Sequence, residues 1–156
     1  MNFDLDMSTD MVKFGDMPPQ AFLLGLLSAF DNRFQACADN FFQEITWKQF
    51  FAIICIKICT EEPTINELAE IMGSSHQNVK QILLKLEGKG FVTMIADEKD
   101  KRKQRIVLTK ACRDFCEKND EQSREIIRRI FDGIEEEHLL AAIMTIQKME
   151  RNISEL

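Results

Sequence analysis

The chain has 156 residues and a net charge of −6, with 45% hydrophobic and 29% charged residues. That length suits one domain with a sizeable core, and no run of 18 or more apolar residues offers a membrane span. Spread evenly, an acidic charge of this size would argue against a nucleic-acid partner.

The charge is not spread evenly. Residues 76–110 hold nine Lys/Arg against four Asp/Glu, a local excess of +5, while the segments before and after are acidic. Residues 1–17 alternate acidic and apolar side chains, lack a basic leader region, and read as an irregular arm rather than a secretory signal. The five cysteines are therefore expected as reduced thiols in a cytoplasm.

Pro18-Pro19 opens a helix, because proline is tolerated in a first helical turn. Leu23, Leu27, Phe30, Phe34, Ala38 and Phe41 then recur at helical spacing to about residue 42. Thr46 caps a second helix, from Trp47 to about Cys59, that is apolar nearly all round and belongs in a core. Glu61-Glu62-Pro63 ends it.

Two capping signals follow, Thr64-Ile65-Asn66-Glu67 and Ser74-Ser75-His76-Gln77. In each, a hydroxyl and an acid or amide three residues later can satisfy two orphan N–H groups reciprocally. They predict short helices over roughly 65–72 and 75–88, with only Met72 and Gly73 separating the end of the first helix from the second cap, the helix-turn-helix pattern. After Gly88 and Gly90 the chain switches to Phe91-Val92-Thr93-Met94-Ile95, a charged tip, and Arg105-Ile106-Val107-Leu108, a β-hairpin or wing. Thr109 caps one long helix to about Asp132, and after Gly133 a last helix runs from about Glu135 to Ile153.

The predicted fold is mainly α with a small β-hairpin. Its divisions are an arm (1–17), a dimerisation helix (18–45), a winged helix-turn-helix (46–109) and C-terminal dimerisation helices (110–156). Dimerisation is inferred because Phe22, Leu26, Ile126, Ile127, Ile130, Ile134, Leu140, Ile143 and Ile146 exceed what one small core can bury.

At 100° per residue, Val79, Ile82, Leu83 and Leu86 form the inner face of the 75–88 helix. Gln77, Lys80, Gln81 and Leu84 lie opposite, Asn78 and Lys85 on a flank, and His76 nearer the core. Gln77, Asn78 and Gln81 have the amide chemistry that reads adenine edges, while Lys80 and Lys85 suit phosphates. Ser74 and Ser75 can present hydroxyl and N–H groups to a phosphate. The hairpin tip adds Lys99, Asp100, Lys101, Arg102, Lys103 and Arg105 as groove or backbone contacts, with Asp100 paired to Arg102 to fix its direction.

Several residues of this stretch match a known pattern. Leu68-Ala69, Ser75-x-Gln77-Asn78-Val79, Leu86-Glu87-x-x-Gly90-Phe91-Val92 and, above all, Asp100-x-Arg102 followed by Leu108-Thr109 resemble the MarR family of bacterial regulators. The order of helices resembles that family over about 20–154. The resemblance implies a homodimer on a pseudo-palindromic operator in double-stranded DNA, with Arg102 in the minor groove and Asp100 orienting it. It also implies a repressor released by a small aromatic or amphipathic effector, or, in some members, by cysteine oxidation. Two departures stand out: Met94-Ile95-Ala96 replaces one or two expected arginines, and no glycine follows Leu108-Thr109.

Phe42, Trp47 and Phe51 are candidates for an effector pocket, and Cys37 and Cys112 for a redox switch. The pairs Cys55/Cys59 and Cys112/Cys116 lack the C-x2-C spacing of structural zinc sites, so no metal is expected. No phosphate loop, dinucleotide fingerprint or paired carboxylates appear, so neither a cofactor nor an enzyme is expected. The expected function is a DNA-binding transcriptional regulator. The alternative is a winged-helix module for protein interaction or ligand or redox sensing, without tight DNA binding.

Overall fold

The computed structural model describes residues 17–98 and 100–156. The predicted arm thus lies outside the described residues except for Met17, and so does Lys99. The elements in chain order are α1 (Pro19–Ala38), α2 (Trp47–Ile58), α3 (Ile65–Ile71), α4 (His76–Gly88), β1 (Val92–Ala96), β2 (Gln104–Leu108), α5 (Lys110–Lys118), α6 (Asp120–Ile130) and α7 (Glu136–Ile153). The chain packs as two units, one ending at Thr109 and the other spanning Lys110–Leu156. Among the described residues no helix is long and apolar enough to cross a membrane.

The first unit contains the winged helix-turn-helix expected over 46–109, together with α1. Its core is set by helix α2, which packs on α1, α3, α4 and β2. Ile53, Leu68, Val79, Leu83, Leu86, Val92 and Ile106, drawn from α2, α3, α4, β1 and β2, are fully buried. Burial of each such side chain contributes roughly 1.5–3 kcal/mol, so this shared core outweighs any single cap. Thr46 and Thr64 both close reciprocal capping boxes, with Gln49 and Glu67 respectively.

Two glycines make the turns that this arrangement requires. Gly73, at φ 59°, follows Met72, the C-cap of α3. Its N–H donates to Glu70 O at 3.1 Å, and Ser74 N–H reaches Ala69 O at 2.9 Å. Gly90, at φ 75°, does the same after α4, with Gly90 N–H to Glu87 O at 2.8 Å and Phe91 N–H to Leu86 O at 2.9 Å. A left-handed residue with this pair of bonds ends a helix and reverses the chain, and glycine adopts that conformation without a Cβ clash.

The hairpin is antiparallel, with Val92 opposite Leu108 and Ala96 opposite Gln104. It is also stitched on its other edge. Ile106 N–H donates to Pro63 O at 2.9 Å, and Thr64 forms a β-bridge with Arg105. The loop between α2 and α3 thus supplies a one-residue third strand, too short to leave a sequence signal.

Two predicted helices are shorter than their apolar periodicity implies. The first stops at Ala38 rather than near 42. Asp39 Oδ1 accepts from Trp47 N–H at 2.7 Å and Asn40 Nδ2 donates to Ala36 O at 2.9 Å, so polar side chains take over the helix-end partners. The predicted single helix over 109–132 is instead α5 and α6, broken at Asn119. Asn119 Nδ2 donates to Phe115 O at 2.8 Å, a side-chain bond that competes with the helical ladder.

Glu67 links one cap to pH. Its carboxylate is held below the usual glutamate range, chiefly by the Thr64 backbone N–H, then by the Thr64 hydroxyl and the charges of Arg105 and Lys103. A depressed folded value stabilises the fold above the unfolded value, about 4.3, and that contribution fades as pH falls below it. Denaturant midpoints of wild type and Glu67→Gln, measured from neutral pH to about pH 3, should therefore converge on acidification. A midpoint difference that stays constant across that range would refute the linkage.

Candidate nucleic-acid interface

Helix α4 buries Val79, Ile82, Leu83 and Leu86, the face expected from its periodicity. Gln77, Asn78, Lys80, Gln81, Leu84 and Lys85 are all exposed. Gln77 and Leu84, seven residues apart, point most directly away from the core, with Lys80 and Gln81 to either side. A polar helix face with one exposed leucine has the width and chemistry to enter a major groove.

Three details differ from the sequence reading. The N-cap is Ser75, whose Oγ accepts from Asn78 N–H at 3.2 Å, so the cap sits one residue later than the Ser74–Gln77 box. The Schellman-type turn at Gly73 fixes this shift, because it places Ser74 outside the helix. Asn78 Nδ2 donates to Ser74 Oγ at 2.8 Å, which draws the amide back toward the turn. Ser74 and Asn78 thus brace the helix start. His76 is exposed as the first residue of the helix rather than nearer the core.

The wing tip is organised around an acid. Asp97 is buried, and its Oδ1 accepts from Asp100 N–H at 2.7 Å. Asp97 N–H donates to Lys103 O at 3.0 Å, and Lys103 N–H donates to Asp100 O at 2.8 Å, closing the turn. Asp100 Oδ1 accepts from both Arg102 N–H, at 3.2 Å, and Arg102 Nε, at 3.3 Å. The Arg102 side chain is nevertheless 93% exposed, so the pair aims the guanidinium outward without covering it. Lys101 and Lys103 are exposed on the same turn.

Arg105 does not join them. Its side chain is only 26% exposed. Nε donates to Asp97 Oδ2 at 2.6 Å, Nη1 donates to Glu62 O at 2.7 Å, and Nη1 lies 3.5 Å from Glu67 Oε2. The Asp97 hydrogen bond and neighbouring acids raise its pKa further. The expectation of Arg105 as a DNA contact is therefore corrected: its guanidinium is spent at the base of the wing. Among the charges of the tip, composition alone does not single out Asp97. Its signal is positional, an acid at the strand end three residues before Asp100, inside a basic run.

Phe42, Trp47 and Phe51 sit in one aromatic cluster between α1 and α2. Phe34 meets Trp47 edge-on at 4.7 Å, Trp47 stacks with Phe51 at 6.3 Å, and Phe42 packs on Phe50 at 4.6 Å. Phe42 is buried, while Trp47 and Phe51 keep part of their rings open. Of the redox candidates, Cys37 is exposed on α1, whereas Cys112 is fully buried. Burial bars Cys112 from a solvent oxidant, which corrects that assignment. Burial also pushes the Cys55 and Cys59 thiols up, away from the reactive thiolate. Among the described residues no cluster of three or more His, Cys, Asp or Glu can hold a metal ion.

The model of the MarR family matches residues 45–103, from just before α2 through the wing tip. Solved structures share the fold over most of the chain. A MarR/EmrR family transcriptional regulator from Acinetobacter sp. ADP1 superposes with a TM-score of 0.80 at 14% identity, covering 93% of this chain and all of its own. BpsR of Bordetella bronchiseptica, whose DNA binding is regulated by 6-hydroxynicotinic acid, gives 0.71 at 18% identity, over 82% of this chain and 92% of its own. The organohalide-sensing regulator RdhR, bound to 2,4-dichlorophenol, gives 0.76 at 15% identity, over 96% and 89%.

The two serines before α4 make separable predictions. Ser75→Ala removes the N-cap and should lower stability by about 1 kcal/mol in denaturant unfolding. Ser74→Ala removes only a side-chain brace at an exposed site and should cost less. The reverse order would restore the cap to Ser74.

Proposed function

We propose that the chain, whose residues 45–103 match the MarR family model, is a homodimeric repressor of transcription, released by a small aromatic effector. The observation that carries the DNA-binding part is the pairing on one unit of two elements of matching chemistry. The polar outer face of α4 and the outward Arg102 of the wing suit a major groove and the neighbouring minor groove. Gln77 and Gln81 read base edges, Lys80, Lys85, Lys101 and Lys103 neutralise phosphates, and Arg102 enters the minor groove.

Apolar surface supports the dimer. Leu24 and Phe30 of α1, Ile127 and Ile130 of α6, and Leu140, Ile143 and Met144 of α7 are exposed. Helices α6 and α7 bury no residue at all. A second copy is the partner that a palindromic operator also calls for. Sedimentation should give a dimer, and Ile143→Glu should shift it toward monomer and weaken operator binding together. A wild-type monomer at micromolar concentration would remove this part of the proposal.

The effector reading rests on the half-buried aromatic cluster of Trp47 and Phe51, on the regulation of BpsR by 6-hydroxynicotinic acid and on the binding of 2,4-dichlorophenol by RdhR. Trp47 is the only tryptophan of the chain, so its fluorescence reports directly on this cluster. Titration with 2,4-dichlorophenol or 6-hydroxynicotinate should quench it, and Phe51→Ala should weaken the response. Fluorescence unchanged by a panel of such aromatics would argue against this pocket.

DNA binding itself is tested by mobility shift on duplexes from the gene's own upstream region. Arg102→Ala should weaken binding to all sequences and reduce the salt slope by about one per protomer. Gln81→Ala should relax preference at one base position, by roughly 1–3 kcal/mol. Absence of salt-dependent binding by the wild type would defeat the proposal.

A further inference from the structure

We propose that Asp97 and Arg105 form a latch that sets the direction of the wing, acting on DNA binding as positioning residues through Arg102. This inference rests on the DNA-binding reading above.

A continuous chain of bonds runs from the α2–α3 loop to the wing tip. Glu62 O accepts from Arg105 Nη1 at 2.7 Å, and Arg105 Nε donates to Asp97 Oδ2 at 2.6 Å. The other Asp97 oxygen accepts from Asp100 N–H at 2.7 Å, and Asp100 accepts from Arg102 at 3.2 and 3.3 Å. Each link uses a different atom, so none substitutes for another. Arg102 is almost fully exposed, so among the described residues its direction is set by Asp100 and the turn behind it.

The hairpin needs such a fixture. Two five-residue strands alone are marginal in water. The third edge contributes only the Ile106–Pro63 bond and the Thr64–Arg105 bridge. Arg105 strengthens that edge with charge-assisted bonds in two directions at once, from Nε and from Nη1. Lysine carries the same charge but not this planar fork, so it cannot hold Asp97 and Glu62 O together. That difference separates a latch from a phosphate contact, at which lysine serves nearly as well.

The test uses the full-length protein and a site selected by the wild type from a random-sequence duplex pool. Arg105→Lys and Arg105→Gln should weaken binding alike, by about tenfold, the size expected for loss of one wing contact. In an Arg102→Ala background the same changes should cost less than about twofold, because the contact they position is already gone. Hydroxyl-radical protection of the flanking minor grooves should disappear, while major-groove methylation protection remains. Should Arg105 variants unfold by circular dichroism, the near-isosteric Asp97→Asn carries the same expectations. Arg105→Lys binding like wild type, or losses that add to those of Arg102→Ala, would overturn the latch and leave the DNA-binding reading intact. Wild-type protein that selects and protects no site would overturn that reading and the latch with it.

Discussion

The buried carboxylate of Asp97 is the constraint on which the wing depends. A desolvated carboxylate is costly unless charge-assisted bonds satisfy it. Here one oxygen takes the Arg105 guanidinium and the other takes a tip N–H. Removal of Arg105 takes the charge-assisted bond from one of these oxygens, and so weakens the hold of Asp97 on the tip. The arrangement ties side-chain electrostatics to backbone shape. The turn at the tip closes between Asp97 and Lys103, and the edge of β2 closes against Pro63 and Thr64.

The same network reaches the first helix of the motif. Glu67 completes the cap of α3 and lies 3.5 Å from Arg105, so one acid serves both a helix start and the wing base. Leu68 of α3, Val79, Leu83 and Leu86 of α4, Val92 of β1 and Ile106 of β2 bury together beneath it. Helix, turn and wing are therefore one packed body rather than a reading helix with a loose appendage. Stiffness of this kind aids recognition, because ordering a mobile wing on binding would offset part of each contact it makes.

Much of this was legible in the sequence, for reasons that are local. The capping box at Thr64, the inner stripe Val79–Ile82–Leu83–Leu86 and the Gly73 and Gly90 turns depend on residues within a few positions of one another. The switch to strands after Gly90 is equally local. What escaped depends on partners far along the chain or on competition between near-equal options. Arg105 reads as one more cation of a basic tip until Glu62, 43 residues earlier, is brought beside it. Asn119 reads as a tolerated polar residue in a long amphipathic stripe until its amide takes the Phe115 carbonyl. The Ser74/Ser75 ambiguity is settled by the turn before the helix, not by the serines. Cys112 carries no mark of burial, because its flanks are as polar as those of an exposed thiol.

The local charge count also changes meaning once partners are known. Of the basic residues that make 76–110 positive, Arg105 is bound at the wing base, Lys89 donates to Glu44 O and Lys110 pairs with Asp114. Lys80 and Lys85 on α4, and Lys101, Arg102 and Lys103 on the tip, remain exposed among the described residues. The positive surface is smaller than the sequence count implies, and it is divided between two elements. A protein that is acidic overall gains little from diffuse attraction to a polyanion. If it binds DNA as proposed, its affinity would depend on a few cations held in the right directions, which would give the geometry of the wing a large share of the binding. On that reading, Met94-Ile95-Ala96 in place of the expected arginines would strengthen the dependence, since β1 carries no cation to compensate for a misdirected tip.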